Sequence, residues 1–285
     1  MASLCRRLKP CCALLVALLL APSMASGAAA QCVSLQGQLV QGGLIWGVVA
    51  PGSRVTLDED LLDVLADGTF IAGFGRDAAP SAELVVEGEQ GSCTQGLQVA
   101  RREYNIQRVE GVPQQTVTPP PEQLERIRRE RELVRDAKYQ TLRRPDLLQG
   151  ALAGFQWPAV GPISGVYGSQ RVYNGEPRSP HYGVDVAMPT GTPVRAPAAG
   201  VITLAEPDLF YSGGTIILDH GYRLSSSFLH LSKVSVEVGQ EVQAGEVIGE
   251  IGASGRATGP HLDWRMSWRI QRIDPQLLAP PMPKP

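Results

Sequence analysis

From Trp157-Pro158 to Pro275 the chain alternates short β-branched runs with glycine-bearing turns, and this pattern constrains its fold more than any other feature. Val194, Val201-Ile202-Thr203, Thr215-Ile216-Ile217-Leu218, Val234-Ser235-Val236 and Val247-Ile248-Gly249 are short and rich in β-branched residues. No helical period longer than a turn or two interrupts them. Such runs favour a pleated, half-buried surface, so the pattern predicts an antiparallel β-sheet with tight turns. Reactive side chains in this region then sit on strands and strand ends, a rigid platform.

The preceding region reads differently. Between residues 31 and 109, strands are predicted at 38–41, 54–57, 69–72 and 83–87, with turns at Pro51-Gly52 and Asp67-Gly68. This describes a small β-sandwich. Its acidic run Asp58-Glu59-Asp60 lacks the ligand spacing of a calcium loop and reads as a solvated turn. Thr118-Pro119-Pro120-Pro121 cannot continue a ladder and marks a boundary. A charged helix is expected from 122 to about 142, with Leu124, Ile127, Leu133 and Val134 as a thin apolar stripe, lying on a domain surface or bridging two domains. Its arginines read as a salt-bridged exposed face.

The first thirty residues have the order of an export signal: Arg6, Arg7 and Lys9, then an apolar stretch from Cys11 to Ala21, then Ala28-Ala29-Ala30 before Gln31. Removal of 1–30 leaves no stable membrane anchor and only Cys32 and Cys93. An even pair in an oxidising compartment predicts a disulfide, two buried thiols being the alternative. A net charge of −2 gives no basic surface for nucleic acid. The organisation expected is therefore a signal peptide (1–30), a β-sandwich domain (31–112), a proline-rich linker with a charged helix (113–146) and a β-sheet domain (147–285). A fragment starting near Leu147 is expected to fold by itself.

Three of the four histidines fall with two aspartates into one spaced series: His181-Tyr182-Gly183-Val184-Asp185, His230-Leu231-Ser232 and Gly259-Pro260-His261-Leu262-Asp263. A hydrolytic zinc site needs about three nitrogen or oxygen ligands and an open position for water. Histidines left over from such a set can act as acid, base or oxyanion donor. His220, in Asp219-His220-Gly221, reads as structural. Trp264 and Trp268 read as groove or core residues, and Arg265 and Arg269 as partners for peptide carboxylates or a solvated strand face.

From Pro162 to Leu278 these elements, with Gly191-Thr192-Pro193-Val194, Ala199-Gly200-Val201, the turns Val238-Gly239 and Ala244-Gly245, and Asp274-Pro275, resemble the lysostaphin-like (LytM-type) zinc metallopeptidases that cut peptide cross-links of bacterial peptidoglycan. The resemblance implies zinc bound by His181 and Asp185, with His230 and His261 as catalytic, non-ligand histidines. Where the family has a second histidine of an H-x-H element as third ligand, this chain has Asp263. A carboxylate can ligate zinc, but Asp185 and Asp263 together neutralise the ion and weaken its action on water and carbonyl. The resemblance further implies peptidoglycan stem peptides as substrate and the periplasm or cell envelope as location. The competing reading is a degenerate member that binds peptidoglycan or activates another cell-wall hydrolase or division partner without catalysis. A biotinyl or lipoyl carrier, suggested by the paired glycine turns, lacks its lysine: Lys233 follows His230-Leu231-Ser232 and occupies no hairpin tip.

Overall fold

The computed structural model describes residues 31–109 and 121–283. The expected leader at 1–30 and most of the proline boundary, Thr118 to Pro120, lie outside the described residues. Strands β1 (Leu35–Gly37), β2 (Leu44–Val48), β3 (Arg54–Leu57), β4 (Asp60–Leu61), β5 (Thr69–Gly73), β6 (Ser81–Gly88) and β7 (Gly91–Gln98) form two antiparallel sheets, ordered β1-β2-β5 and β4-β3-β6-β7. Ile45 and Phe70 from one sheet, and Val55 and Leu84 from the other, are wholly buried. Cys32 and Cys93 form a disulfide. Asp58 and Glu59 both adopt positive φ in the exposed turn joining β3 to β4. The strand expected at 38–41 is absent. Val40 makes only an isolated bridge to Ala100, because the chain turns at Gln41-Gly42, where glycine carries a φ of +82°.

Next come β8 (Ile106–Val109), a 3-10 turn at Pro121–Gln123, α1 (Leu124–Tyr139) and α2 (Pro145–Leu152). The charged helix ends three residues before the sequence expectation, since Gln140 is extended. Ile127 and Ala137 are its buried residues, and Ala137 with Val134 packs on Leu204, Leu209 and Ile217. Leu124 and Leu133 stay exposed. Helix α2 was not anticipated. Its eight residues are too few for a period, although Pro145 at its start and Asp146 in its first turn are helix-start signals.

The remainder supplies β9 (Ile163–Gly165), β10 (Gln170–Tyr173), β11 (Glu176–Pro177), β12 (Gly183–Val186), β13 (Pro193–Arg195), β14 (Gly200–Leu209), β15 (Gly213–Asp219), β16 (Leu224–Val234), β17 (Glu241–Val242), β18 (Val247–Ile251), β19 (Leu262–Trp268) and β20 (Gln271–Ile273). Ten of these strands form one sheet with the path β17-β14-β15-β16-β19-β12-β9, and β13, β18 and β20 attached. Every pairing in it is antiparallel. Alternation assigns its two faces. Leu262, Trp264, Met266 and Phe228 point into a core continuous with that of the sandwich, while Asp263, Arg265 and Ser267 point the other way.

The N-terminal segment also touches the sheet region directly. β8 pairs in parallel with β10, and β10 pairs antiparallel with β11. Arg76 donates to the Gly168 carbonyl at 2.9 Å, and Arg102 pairs at 2.8 Å with the wholly buried Asp274.

Candidate metal centre and active site

The three predicted ligands converge. Asp185 on β12 and Asp263 on β19 are direct cross-strand partners, so their side chains leave the same face side by side. His181 joins them from the loop before β12 rather than from the strand itself. Its backbone is pinned instead by two hydrogen bonds: its N–H donates to Ser169 O at 2.8 Å, and its carbonyl accepts from Gly168 N–H at 2.7 Å. His181 Nε2 lies 3.1 Å from Asp185 Oδ1 and 3.4 Å from Asp263 Oδ1.

This donor set fits a divalent cation. One ligand atom from each of His181, Asp185 and Asp263 lies within 4.8 Å of the others. His181 Nε2 and Asp185 Oδ1 are buried without a hydrogen-bond partner, although buried polar atoms are nearly always satisfied. His181 Nδ1 faces the Val166 carbonyl at 3.3 Å, which places the proton on Nδ1 and leaves Nε2 as the lone-pair atom. Room is kept by two glycines: a Cβ on Gly165 would strike the Asp185 carboxylate, and one on Gly183 would lie 2.6 Å from both Asp263 Oδ1 and Arg265 Cγ.

In the metal-free state, burial works against a charged His181, but the Asp185 and Asp263 carboxylates outweigh it and raise its pKa to about 10. Burial opposes charge on Asp263 as well, yet Arg265 and His181 hold its carboxyl well below the usual range. Arg265 is the neighbour that the sequence could not locate. Its Nε lies 3.0 Å from each Asp263 oxygen and its Nη2 2.5 Å from Oδ2. Its positive charge offsets the surplus carboxylate.

His230 and His261 stand beside this group with ring centroids 4.8 Å apart. His230 has a φ of +64° at an irregularity of β16, where Leu229 and His230 lie between the residues paired with Gly214 and Ile216. The bulge turns its ring to the site, and strain of this kind is typical of functional positions. Its Nδ1 donates to Ser254 O at 2.8 Å, and burial lowers its pKa, so the ring is neutral with Nε2 free. His261 Nδ1 donates to Gly259 O at 2.8 Å, and its Nε2 is 3.9 Å from Asp185 Oδ1.

The other sequence candidates lie elsewhere. His220 is wholly buried between Ala199 O and Ser226 Oγ, both at 2.9 Å, and packs edge-on against Phe155. Burial pushes its pKa down to about 4. Trp264 is core, 5.6 Å from Trp157 between ring centroids, and cannot line the site because it is on the opposite face from Asp263. Arg269 donates to Leu61 O and Asp63.

A hydrolytic metal site on an antiparallel sheet is the class that this geometry defines, and residues 179–275 match the model of peptidase family M23. A crystal structure assigned to peptidase M23 from Pseudomonas aeruginosa is 30% identical, with a TM-score of 0.62 over 84% of this chain and 93% of that one. The chain belongs to peptidase family M23. Among curated relatives, the peptidoglycan DD-endopeptidase ShyA of Vibrio cholerae is 35% identical over 138 residues, 48% of this chain and 32% of the relative. The DD-carboxypeptidase/endopeptidase Mpg of Neisseria meningitidis is 41% identical over 104 residues, 36% of this chain and 24% of the relative. The chain thus spans a third or less of the length of these relatives.

Proposed function

We propose that the protein is a zinc metalloendopeptidase that hydrolyses peptide cross-links of bacterial peptidoglycan, with His181, Asp185 and Asp263 as metal ligands and His230 and His261 as catalytic residues. The observation that carries this reading is the convergence of three ligand atoms within 4.8 Å, two of them buried with no partner outside the group, beside two histidines that each keep Nε2 free. Membership of the M23 family and the printed activities of ShyA and Mpg support the substrate class.

Zinc bound at this site supplies Lewis-acid polarisation of the scissile carbonyl and acidifies a water. The protein's own part is proton handling. With Nδ1–H committed to Ser254 O or Gly259 O, each of His230 and His261 presents Nε2 to the reacting groups. One such nitrogen accepts the water proton and, once it carries that proton, donates a hydrogen bond to the developing oxyanion, while its neighbour orients the water. Because the Asp263–Arg265 pair is nearly neutral, Asp185 is the main uncompensated negative charge of the ligand set.

The same proposal places the catalytic domain at 147–285, after a linker with a charged helix (113–146), with the sandwich at 31–112 in front. It also has the protein exported through the leader at 1–30 to the periplasm, where its disulfide forms. Among the described residues no helix is long and apolar enough to cross a membrane.

Zinc stoichiometry and digestion of purified murein test the assignment. Asp263→Ala is expected to release zinc, since two protein ligands rarely suffice. Asp263→His keeps zinc and raises hydrolysis, and His261→Ala keeps zinc while lowering hydrolysis. Unsubstituted protein that neither holds zinc nor digests murein when zinc is supplied overturns the enzyme and leaves a peptidoglycan-binding or activator role.

A further inference from the structure

Beside the metal ligands the sheet carries more positive charge than Asp263, the carboxylate paired with Arg265, can neutralise. Arg265 follows Asp263 on the same face of β19, and Arg272 on β20 is the register partner of Ser267, the next residue on that face. Arg265 is opposite Gly183 on one side and Ser227 on the other, and Ser267 is opposite Ser225. Glycine and serines flank Arg265 across the sheet, so on these register positions the guanidinium groups of Arg265 and Arg272 are the long side chains.

Helix α1 brings a third cation to the same place. Ala137 packs on Ile217, Ile217 is the register partner of Ser227, and Ser227 is the partner of Arg265. Lys138, the next residue, is close enough that, besides burial, the charges of Arg272 and Arg265 destabilise its ammonium. Among the described residues neither Lys138 nor Arg272 has an ion-pair partner within 4.0 Å, and the Asp263 carboxylate nearby is already held by Arg265. Arg265 uses only Nε and Nη2 on Asp263, which leaves Nη1 unassigned. Ser227 Oγ, in a residue that is 3% exposed, is buried with no partner. Arg272 and Lys138, gathered beside the Asp263–Arg265 pair at one partly desolvated spot, repel each other, and a bound divalent metal adds to the repulsion. An anion relieves it.

We propose that Arg265, Arg272 and Lys138, with Ser227, form a subsite for a free carboxylate of the peptide substrate, held next to the scissile bond. Guanidinium forks suit carboxylates, and a partly desolvated cationic surface strengthens that contact. The subsite rests on the peptidase reading above for its substrate, but binding tests it separately from catalysis. The enzyme is then selective for peptides with a carboxylate close to the cleaved bond. The C-terminal carboxylate and the side-chain carboxylate of a diamino acid share this chemistry.

The experiment uses the zinc-loaded chain and a fluorescently labelled cross-linked dimer of murein stem peptides as the free acid, as its C-terminal amide, and amidated at the diaminopimelate carboxylate instead. Affinity is read by anisotropy and cleavage by chromatography. Loss of one carboxylate is expected to weaken binding about tenfold, the size of a good charge-assisted contact, and the amide that shows the loss identifies the source. Arg272→Gln and Lys138→Gln should each make acid and amide bind alike without changing zinc content, and Arg272→Lys should restore part of the preference. Equal affinity for the acid and both amides in the unsubstituted protein, or a preference that survives both glutamine variants, overturns the subsite. Discrimination without cleavage supports the subsite and refutes the peptidase; cleavage without discrimination does the reverse.

Discussion

Removing zinc from this site should turn His181 into an unusually strong base, and a pH titration of the metal-free protein tests the geometry before any activity is measured. The ring is held between two carboxylates, with Nε2 at 3.1 Å and 3.4 Å from their oxygens, and its pKa rises from 6.5 to about 10. Because the folded value is above the unfolded one, the stabilisation is fully present below pH 6.5 and is lost as pH rises through about 10. At about 1.4 kcal/mol per pKa unit the ceiling is about 5 kcal/mol, on the order of a small domain's entire stability. The depressed Asp263 pKa reflects the same contact and is not added to it.

Zinc must displace that proton, so its apparent affinity should climb about tenfold per pH unit between roughly pH 7 and 9, and binding should release about one proton from His181. Histidine-selective NMR on the apo protein should show His181 titrating near 10, His220 near 4 and His230 below its ordinary value. Urea unfolding should give a metal-free protein that loses stability between pH 7 and 10 and a zinc-loaded protein that does not. A His181 that titrates near 6.5 in the folded apo protein, or zinc affinity that is flat from pH 7 to 9, refutes the placement of its ring between Asp185 and Asp263.

Reduction of the Cys32–Cys93 bond, whose residues are 61 apart in sequence, should lower stability by about 4 kcal/mol in denaturant melts. Gly165→Ala should weaken zinc binding, measured by chelator competition, because the new methyl displaces the Asp185 carboxylate. A chain that starts at Leu147 should melt at a lower temperature than the full protein and bind zinc more weakly. It loses Arg102, the partner of buried Asp274, and Arg76 and Tyr104, which brace Gly168 and through it the His181 carbonyl. Equal melting temperature and zinc affinity for the two lengths would show that the sandwich contributes nothing to the site.

The sheet was legible because β-branched runs and glycine turns are local signals. Gly239 and Gly245 carry positive φ at the two turns that the sequence marks, and 54–57 and 69–72 fall on β3 and β5. Elements without a local signature were not legible. α2 is too short to show a period, and β14 extends through Pro207 only because its pairing with β15 shifts register between Glu206 and Leu209. The way His181 comes to lie beside Asp185 was not legible either. The histidine is set by hydrogen bonds to Gly168 and Ser169, a long-range arrangement that no pattern of side chains announces.

Asp263 marks the point where sequence reasoning stopped short for a definite physical reason. Counting ligand charges alone, Asp185 and Asp263 cancel a divalent ion and blunt its chemistry. Arg265, two residues further on and thus on the same face, changes that count by gripping both Asp263 oxygens. Asp185, Asp263 and Arg265 together carry a formal charge of −1, the value that one aspartate and two neutral histidines would give. The i, i+2 pairing could be written down from the sequence. Its consequence could not, because a strand-neighbour arginine can as easily extend into solvent. Gly183 helps to decide it, since any side chain there would occupy the space that Arg265 uses to lie back on Asp263. Asp263 and Arg265 are therefore one unit standing where the family has a histidine, and exchanging Asp263 alone for histidine, which keeps zinc, leaves that arginine without its partner and free to bind substrate.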